Sequence, residues 1–330
     1  MFVILLIVIL NFFLYFFNEK FAQALNLYDN PDSFRKFHKI KVPLTGGIII
    51  LINIIFVLIF TLLDQFYYKK LFIFETNLDL IIFFISVVIF FIIGLVDDKY
   101  NISANKRFIF AALILIPIVI FSEDLVIRQI EFSFTKYSFS LSYFIAIFWT
   151  ILCFLLFINA INMFDGINYQ VGLYSIYLSS FFLLNDYFIL FFSLLTIGLI
   201  NFIILNHKSK SFLGDSGSYL LAFLFGYFFI KFYNQTTIIK TDHIVLFMII
   251  PGVDLIRLFT IRIMKGNNPF VADRNHLHHI ISKKFSLIYT NLIIQSLIIF
   301  PSILGFYFGF SYIFLATQII IYFYFVLFNK

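Results

Sequence analysis

The chain has 330 residues, 62% of them hydrophobic and only 12% charged, well above the apolar share of about half that a soluble domain carries. This excludes an ordinary soluble enzyme and describes an integral membrane protein. The formal charge of +6 reads as a topology signal, and no nucleic-acid partner is expected. The single cysteine, Cys153, lies inside an apolar run and cannot form an intrachain disulfide.

Apolar stretches near the length needed to cross about 30 Å of hydrocarbon predict helices over roughly 2–17, 46–64, 79–96, 108–121, 141–158, 169–184, 187–205, 217–232, 243–262, 286–304 and 306–328. That is about eleven, or ten if a weak break within 169–205 or 286–328 does not hold. Barrel strands would alternate in polarity, and these continuous runs do not. The expected fold is an all-α polytopic membrane protein forming a single transmembrane domain over 1–330. Ala22-Gln23-Ala24 resembles a signal-cleavage site, yet no basic residue precedes the first span and Asn18-Glu19-Lys20 follows it, so that span reads as a retained helix.

Orientation follows from the basic residues. With the N-terminus outside and the C-terminus cytoplasmic, only Lys69, Lys70, Arg128, Lys136, Lys231 and Lys240 of the 23 Lys and Arg residues fall on the outer side. A basic inner face also suits anionic membrane lipids and phosphate substrates.

Five segments assigned to the inner side concentrate polar chemistry. The first, Asn26 to Gly47, combines Asp29, Arg35, Lys36, His38, Lys39 and Lys41 with Pro43 and a glycine pair, which suits an anion or simply a basic loop opening a helix. The second, GLVDDKYNISANK from Gly94, sets Asp97 beside Asp98. Adjacent carboxylates repel unless a cation or proton relieves them, and Lys106 follows at the start of the next span.

In the third, NAINMFDGINYQVG, Asn159, Asn162, Asp165 and Asn168 recur every three residues and share one side of a helical or 3₁₀-like stretch. Four polar groups on one face of an apolar span call for a cavity, ligand or ion. The fourth, FLGDSGS, places Asp215 between glycines ahead of an apolar helix, where the backbone and helix N-terminus can approach phosphate; a plain helix cap competes with that reading. The fifth, PFVADRNHLHHI, packs Asp273, Arg274, His276, His278 and His279 together. Three histidines suggest zinc, but Arg274 would repel a metal, and Arg with imidazoles suits phosphate and sugar hydroxyls better.

Carboxylates for a metal, basic groups for phosphates, and amides and imidazoles for a polar headgroup are the equipment of phosphoryl transfer. The order Asp29-x-Pro31, Arg35-x-x-His38, Pro43-x-x-Gly46-Gly47, Asp97-Asp98 with Lys106, NAxNxxDGxN, GDSGS and DRxHLHH resembles the polyprenyl-phosphate N-acetylhexosamine-1-phosphate transferases, across about three quarters of the chain. The resemblance implies that a UDP-N-acetylhexosamine reacts with undecaprenyl phosphate at the inner membrane of a bacterium, releasing UMP and starting a surface glycan. It implies Mg²⁺ (with Mn²⁺ as the alternative ion) held by Asp215 with Asp98 and Asn162. Asp97, Asp98, Asp165, Asp215 and Lys106 would be catalytic, with the identity of any base left open. The nucleotide sugar would meet Lys39, Asn159, Asn162, Asn168, Phe212 (stacked on uracil), Arg274, His276, His278 and His279. A homodimer is left open.

The chain departs from the family pattern at Asn168, where a second acid is common, at Tyr169 in place of a glycine, at Phe110 in place of a glutamine, and at Ala222 in place of a glycine. These changes bear on the nucleotide loop and sugar choice. The competing enzyme is the muramyl-pentapeptide transferase of peptidoglycan synthesis, against which the HLHH spacing and the NMFDGIN loop argue. A secondary transporter would show polar groups at mid-membrane and an internal repeat, and neither is evident in the sequence.

Overall fold

The computed structural model describes residues 2–31, 40–68, 74, 76–269 and 273–328. Lys39, with Arg35, Lys36 and His38, lies outside them. Among the described residues the chain forms α1 (Phe2–Leu25), α2 (Gly46–Tyr68), α3 (Asn77–Tyr100), α4 (Ala104–Phe121), α5 (Tyr143–Phe164), α6 (Gln170–Leu184), α7 (Ile189–His207), α8 (Gly214–Gln235), α9 (Thr241–Met264), α10 (Leu277–Ser282), α11 (Leu287–Phe308) and α12 (Ser311–Phe328). Two short antiparallel pairs, β1 (Tyr28–Asp29) with β2 (Val42–Pro43) and β3 (Gln129–Glu131) with β4 (Ser138–Ser140), are the only strands among those residues. The eleven expected spans are all helical, and α10 is an additional short helix.

Eight helices, α1 to α5, α7, α9 and α11, are long and apolar enough to cross a membrane, and α6 and α12 are shorter apolar helices. The protein is a polytopic all-α membrane protein. Both weak breaks in the apolar pattern are real helix ends. Asp186 and Phe188 take φ of 55° and 50° between α6 and α7, and Gly309 and Phe310 take 80° and 59° between α11 and α12. A left-handed residue cannot continue a right-handed helix. At the start of α3, Thr76 Oγ1 accepts the Asp79 N–H (3.1 Å) while the Asp79 carboxylate accepts the Thr76 N–H (3.2 Å), a reciprocal cap that fixes the helix start.

The chain divides into two compact units. The first comprises Met1–Ile102 and Val171–Phe223, the second Ser103–Gln170 and Leu224–Lys330. In the first, Leu14, Ile49 and Leu205 join α1, α2 and α7 in one apolar cluster. Apolar contact alone gives little preference for one helix register over another in lipid, so buried amides do that work. Asn11 Nδ2 donates to Asn53 Oδ1 (2.6 Å), Asn53 Nδ2 returns a bond to Asn11 Oδ1 (3.1 Å), and Asn201 Nδ2 donates to Asn11 Oδ1 (3.0 Å).

In the second unit, Gln318 of α12 donates to the carbonyls of Leu246 in α9 (3.2 Å) and Leu297 in α11 (2.9 Å), so one amide ties three helices. The β3–β4 hairpin is pinned by the Asp242 carboxylate, which accepts from the Ser133 N–H (2.7 Å) and from the Ser133 and Ser311 hydroxyls. The Tyr233 hydroxyl adds a bond to the Gln129 carbonyl (2.8 Å).

The amide cluster makes a direct prediction. Asn53→Ala removes both Asn11–Asn53 bonds and should cost roughly 0.6–1.7 kcal/mol, the range found for hydrogen bonds between membrane helices. A thermal midpoint in detergent equal to that of the unaltered protein would contradict it.

Candidate active site

In the first unit the polar motifs are assembled at the C-terminal end of α3 and the N-terminal end of α8. Helix α3 ends where Asn101 enters the left-handed region (φ 50°) and its N–H bonds the Asp97 carbonyl (2.8 Å). That end carries Asp97, which is buried, and Asp98, which is partly buried. The Asp98 carboxylate accepts the N–H of Asp215 (2.7 Å) through Oδ1 and the N–H of Ser216 (3.0 Å) through Oδ2. Asp98 is therefore a helix cap supplied from a different helix, placed where the α8 dipole is positive.

The contact is so close that a Cβ on Gly94 would overlap the Asp215 carbonyl. On the opposite side, the Gly46 and Gly47 N–H groups bond the carbonyls of Phe212 (3.0 Å) and Leu213 (3.1 Å), and the Phe212 N–H bonds the Pro43 carbonyl (2.8 Å). A Cβ on Gly47 would overlap Ser216 and Gly217. The glycines of GLVDD, PLTGG and GDSGS therefore serve one purpose: they allow three backbone segments of this unit to touch. Below them, Asn18 Nδ2 donates to the Lys210 carbonyl (2.7 Å) and Thr45 Oγ1 bonds both Asn18 Oδ1 and Ser211 Oγ. Phe212, partly buried, sits in the loop that these bonds hold.

The Asp98 and Asp215 carboxylates are near enough to repel one another. A divalent cation relieves such repulsion. The donor set fits Mg²⁺, which typically takes one or two carboxylates and completes its shell with water and substrate phosphate. It does not fit an all-protein cage, for among the described residues no group of three His, Cys, Asp or Glu side chains is placed to hold a metal ion.

The second unit contains the other two motifs. Asn159 and Asn162 lie near the end of α5, and Asp165 is its C-cap, with its N–H on the Ile161 carbonyl (3.0 Å). The expectation that four polar groups share one face holds only as far as the helix does. The chain leaves the helix at Asp165, and Tyr169 has φ 71°, so Asn168 belongs to a turn and not to that face. Asn159 donates to the Leu155 carbonyl one turn back (2.7 Å). The turn is tied to α11: Asn291 donates to the Asn168 carbonyl (3.0 Å) and Gln295 to the Gln170 carbonyl (2.9 Å). Lys106 is exposed in the first turn of α4.

His276 is the N-cap of α10, with His278 and His279 in its first turn. The His276 and His278 rings stack (centroids 5.4 Å apart, planes 6°), and the His279 ring meets that of His278 edge-on at 4.2 Å. His278 packs against the DGIN turn, so that a Cβ on Gly166 would overlap its Nε2. Burial pushes the His278 ring well below the usual imidazole range, with His279 and His276 adding to the effect. Burial likewise lowers His279 to about 4, helped by the neighbouring His276 and Arg274. Both rings are neutral at pH 7. Arg274 is exposed.

The residues that carry this loop escaped the sequence reading. Arg262 donates Nε to Asp273 Oδ2 (3.0 Å) and Nη1 to the Pro269 carbonyl (2.6 Å). Asp254 accepts the Leu277 N–H (3.2 Å), capping α10, and contacts His276 Nδ1 (2.8 Å). The signal was present: Asp254, Arg257 and Arg262 are ionisable residues inside an apolar span, a pattern that marks function or obligatory pairing. The two arginines were counted only as charges setting orientation.

A profile described as glycosyl transferase family 4 matches residues 80–233, a stretch that includes Asp97, Asp98, Asp165, Phe212 and Asp215. A Salmonella typhi protein named undecaprenyl-phosphate alpha-N-acetylglucosaminyl 1-phosphate transferase is 30% identical over 289 residues, covering 81% of this chain and 72% of its own length. The chain belongs to glycosyl transferase family 4. Proteins with the same name from Thermotoga maritima (29% identical, 94% of both chains) and Yersinia pestis (28%, covering 81% of this chain and 73% of that protein) are also similar to this family 4 member.

Two outcomes follow for this member of the family. Gly166→Ala should displace His278 and cut activity while Gly252→Ala, where a Cβ meets nothing within 4 Å, leaves it intact; equal activities would refute the contact. The histidines also set a pH dependence. With folded values below the ordinary imidazole value of about 6.5, the unfolded chain binds more protons between about pH 6.5 and 4, so stability falls as pH drops through that window. His279→Gln should flatten this part of the thermal-midpoint profile, and an unchanged slope would count against a buried neutral His279.

Proposed function

We propose that the protein transfers N-acetylhexosamine 1-phosphate from a UDP-N-acetylhexosamine to undecaprenyl phosphate, forming a lipid-diphospho-sugar and releasing UMP. The observation that carries this reading is the junction of Asp98 with the N–H groups of Asp215 and Ser216, found in a chain whose relatives are named undecaprenyl-phosphate alpha-N-acetylglucosaminyl 1-phosphate transferases. Those names point to UDP-N-acetylglucosamine as the first donor to try. They do not favour the muramyl-pentapeptide nucleotide. The profile match crosses the boundaries between the two units in sequence, which supports reading 1–330 as one transferase domain.

In the proposed reaction an oxygen of the lipid phosphate attacks the β-phosphorus of the UDP-sugar, the bond from that phosphorus to the bridging oxygen breaks, and UMP leaves with the electron pair. A phosphate monoester is largely ionised at pH 7, so the nucleophile needs no strong base. Asp215 and Asp98 would hold Mg²⁺, whose charge, when it is bound, offsets that of the diphosphate. The first-turn N–H groups of α8 and the helix dipole favour an anion nearby. Asp97 is kept at hand by the same helix end. Arg274 and His276 suit phosphate oxygens and sugar hydroxyls, Phe212 a base ring, and Asn162, Asp165 and Asn168 the nucleotide.

The basic-residue asymmetry supports a bacterial inner-membrane location with the N-terminus outside and these motifs at the cytoplasmic surface. A water-soluble nucleotide sugar and a lipid phosphate can meet there.

The test is UMP release by the purified protein in detergent with undecaprenyl phosphate and UDP-N-acetylglucosamine, with Mg²⁺ or EDTA. Lipid- and metal-dependent release is expected, and Asp215→Asn should lower it on the order of 100-fold or more, the scale of losing a group that stabilises transition-state charge. No release with any UDP-N-acetylhexosamine by folded protein would overturn the reading.

A further inference from the structure

Helix α9 carries Asp254, Arg257 and Arg262, all buried. A charge in a spanning helix persists only when paired, and Asp254 is paired several times over. Its Oδ1 accepts from Arg257 Nη2 (2.8 Å), from the Tyr322 hydroxyl (2.7 Å) and from the Leu277 N–H (3.2 Å), and its Oδ2 contacts His276 Nδ1 at 2.8 Å. Arg257 in turn donates Nε to Tyr322 (2.5 Å) and Nη2 to the Asn275 carbonyl (2.5 Å). The whole array lies in the second unit.

We propose that Asp254 is a positioning residue for His276: it holds the ring through Nδ1 and aims Nε2 at a phosphate or sugar oxygen of the substrate. This rests on the transferase reading above, in which His276 touches substrate. Capping α10 needs only Oδ1, and a neutral asparagine would cap as well. The second oxygen is committed to His276. A carboxylate on one ring nitrogen dictates the tautomer and orients the other nitrogen, as it does for functional histidines elsewhere. The charged and titratable groups around the His276 ring are Asp254 and Arg257 from α9, Tyr322 from α12, His278 and His279 from α10, and Asp273 and Arg274 from the preceding loop.

The experiment is kcat and KM for UMP release by the full chain with undecaprenyl phosphate and UDP-N-acetylglucosamine, with folding checked by thermal midpoint. Asp254→Asn should lower kcat/KM about 10- to 100-fold, the usual cost of removing a carboxylate that orients a functional histidine. Asp254→Glu, which keeps a carboxylate, should recover part of that loss. Asp254→Asn should add little to the loss already caused by His276→Asn.

A merely structural Asp254 would slow the His276→Asn enzyme by its full factor. The proposal falls if it does, or if folded Asp254→Asn enzyme keeps full activity. Should Asp254→Asn not fold, Asp254→Glu with and without His276→Asn decides alone. An unaltered enzyme that releases no UMP would remove the transferase reading and this inference with it, whereas an active enzyme in which the two losses multiply removes the inference only.

Discussion

The feature on which the first unit's site depends is the capping of α8 by a carboxylate from α3. The first N–H groups of any helix lack partners within it, and in apolar surroundings each orphan is costly. Asp98 supplies both missing acceptors for Asp215 and Ser216. To do so the two helix ends must approach to backbone contact, which Gly94 permits and a side chain there would block, while Gly47 lets α2 approach the same turn of α8. The position of Asp215 is thus a consequence of satisfying the helix end, and the repulsion between the two carboxylates is what that geometry leaves for a cation to relieve.

The fold was legible because spanning helices are written as long apolar runs, and because breaks as slight as Asn185–Phe188 and Gly309–Phe310 contain residues in left-handed conformations that end a helix. The motifs were legible as polar residues at the ends of those runs. Their partners were less so. Three-residue spacing put Asn168 on the same face as Asn159 and Asn162, but periodicity says nothing about where a helix stops, and this one stops at Asp165. Asn291 and Gln295 look like two polar residues in an apolar helix until the turn they hold is placed beside them. Pairing between segments more than 100 residues apart leaves no local pattern.

Charge was the subtler case. Arg257 and Arg262 contribute to the asymmetry that sets orientation, and the same side chains are buried and bonded to Asp254, Asp273 and backbone carbonyls. One residue can serve both ends, because the orientation rule depends only on which side of the membrane a charge occupies, while pairing depends on what lies within hydrogen-bond reach. A count of positive residues therefore cannot separate those that face water from those that hold a loop.

The two units use the same device to different effect. In each, an aspartate on one long helix caps the N-terminus of another that carries a motif: Asp98 for α8 and its Asp215, Asp254 for α10 and its histidines. The difference lies in what remains of each carboxylate. An ionised carboxylate offers about four lone-pair directions. Asp98 spends one on each of two N–H groups and keeps capacity on both oxygens, which suits a second role toward a cation. Asp254 takes three donors on one oxygen and His276 on the other, so its charge is absorbed by the protein. By this accounting of donors, the carboxylate of the first unit is available to substrate chemistry and that of the second acts only through its histidine.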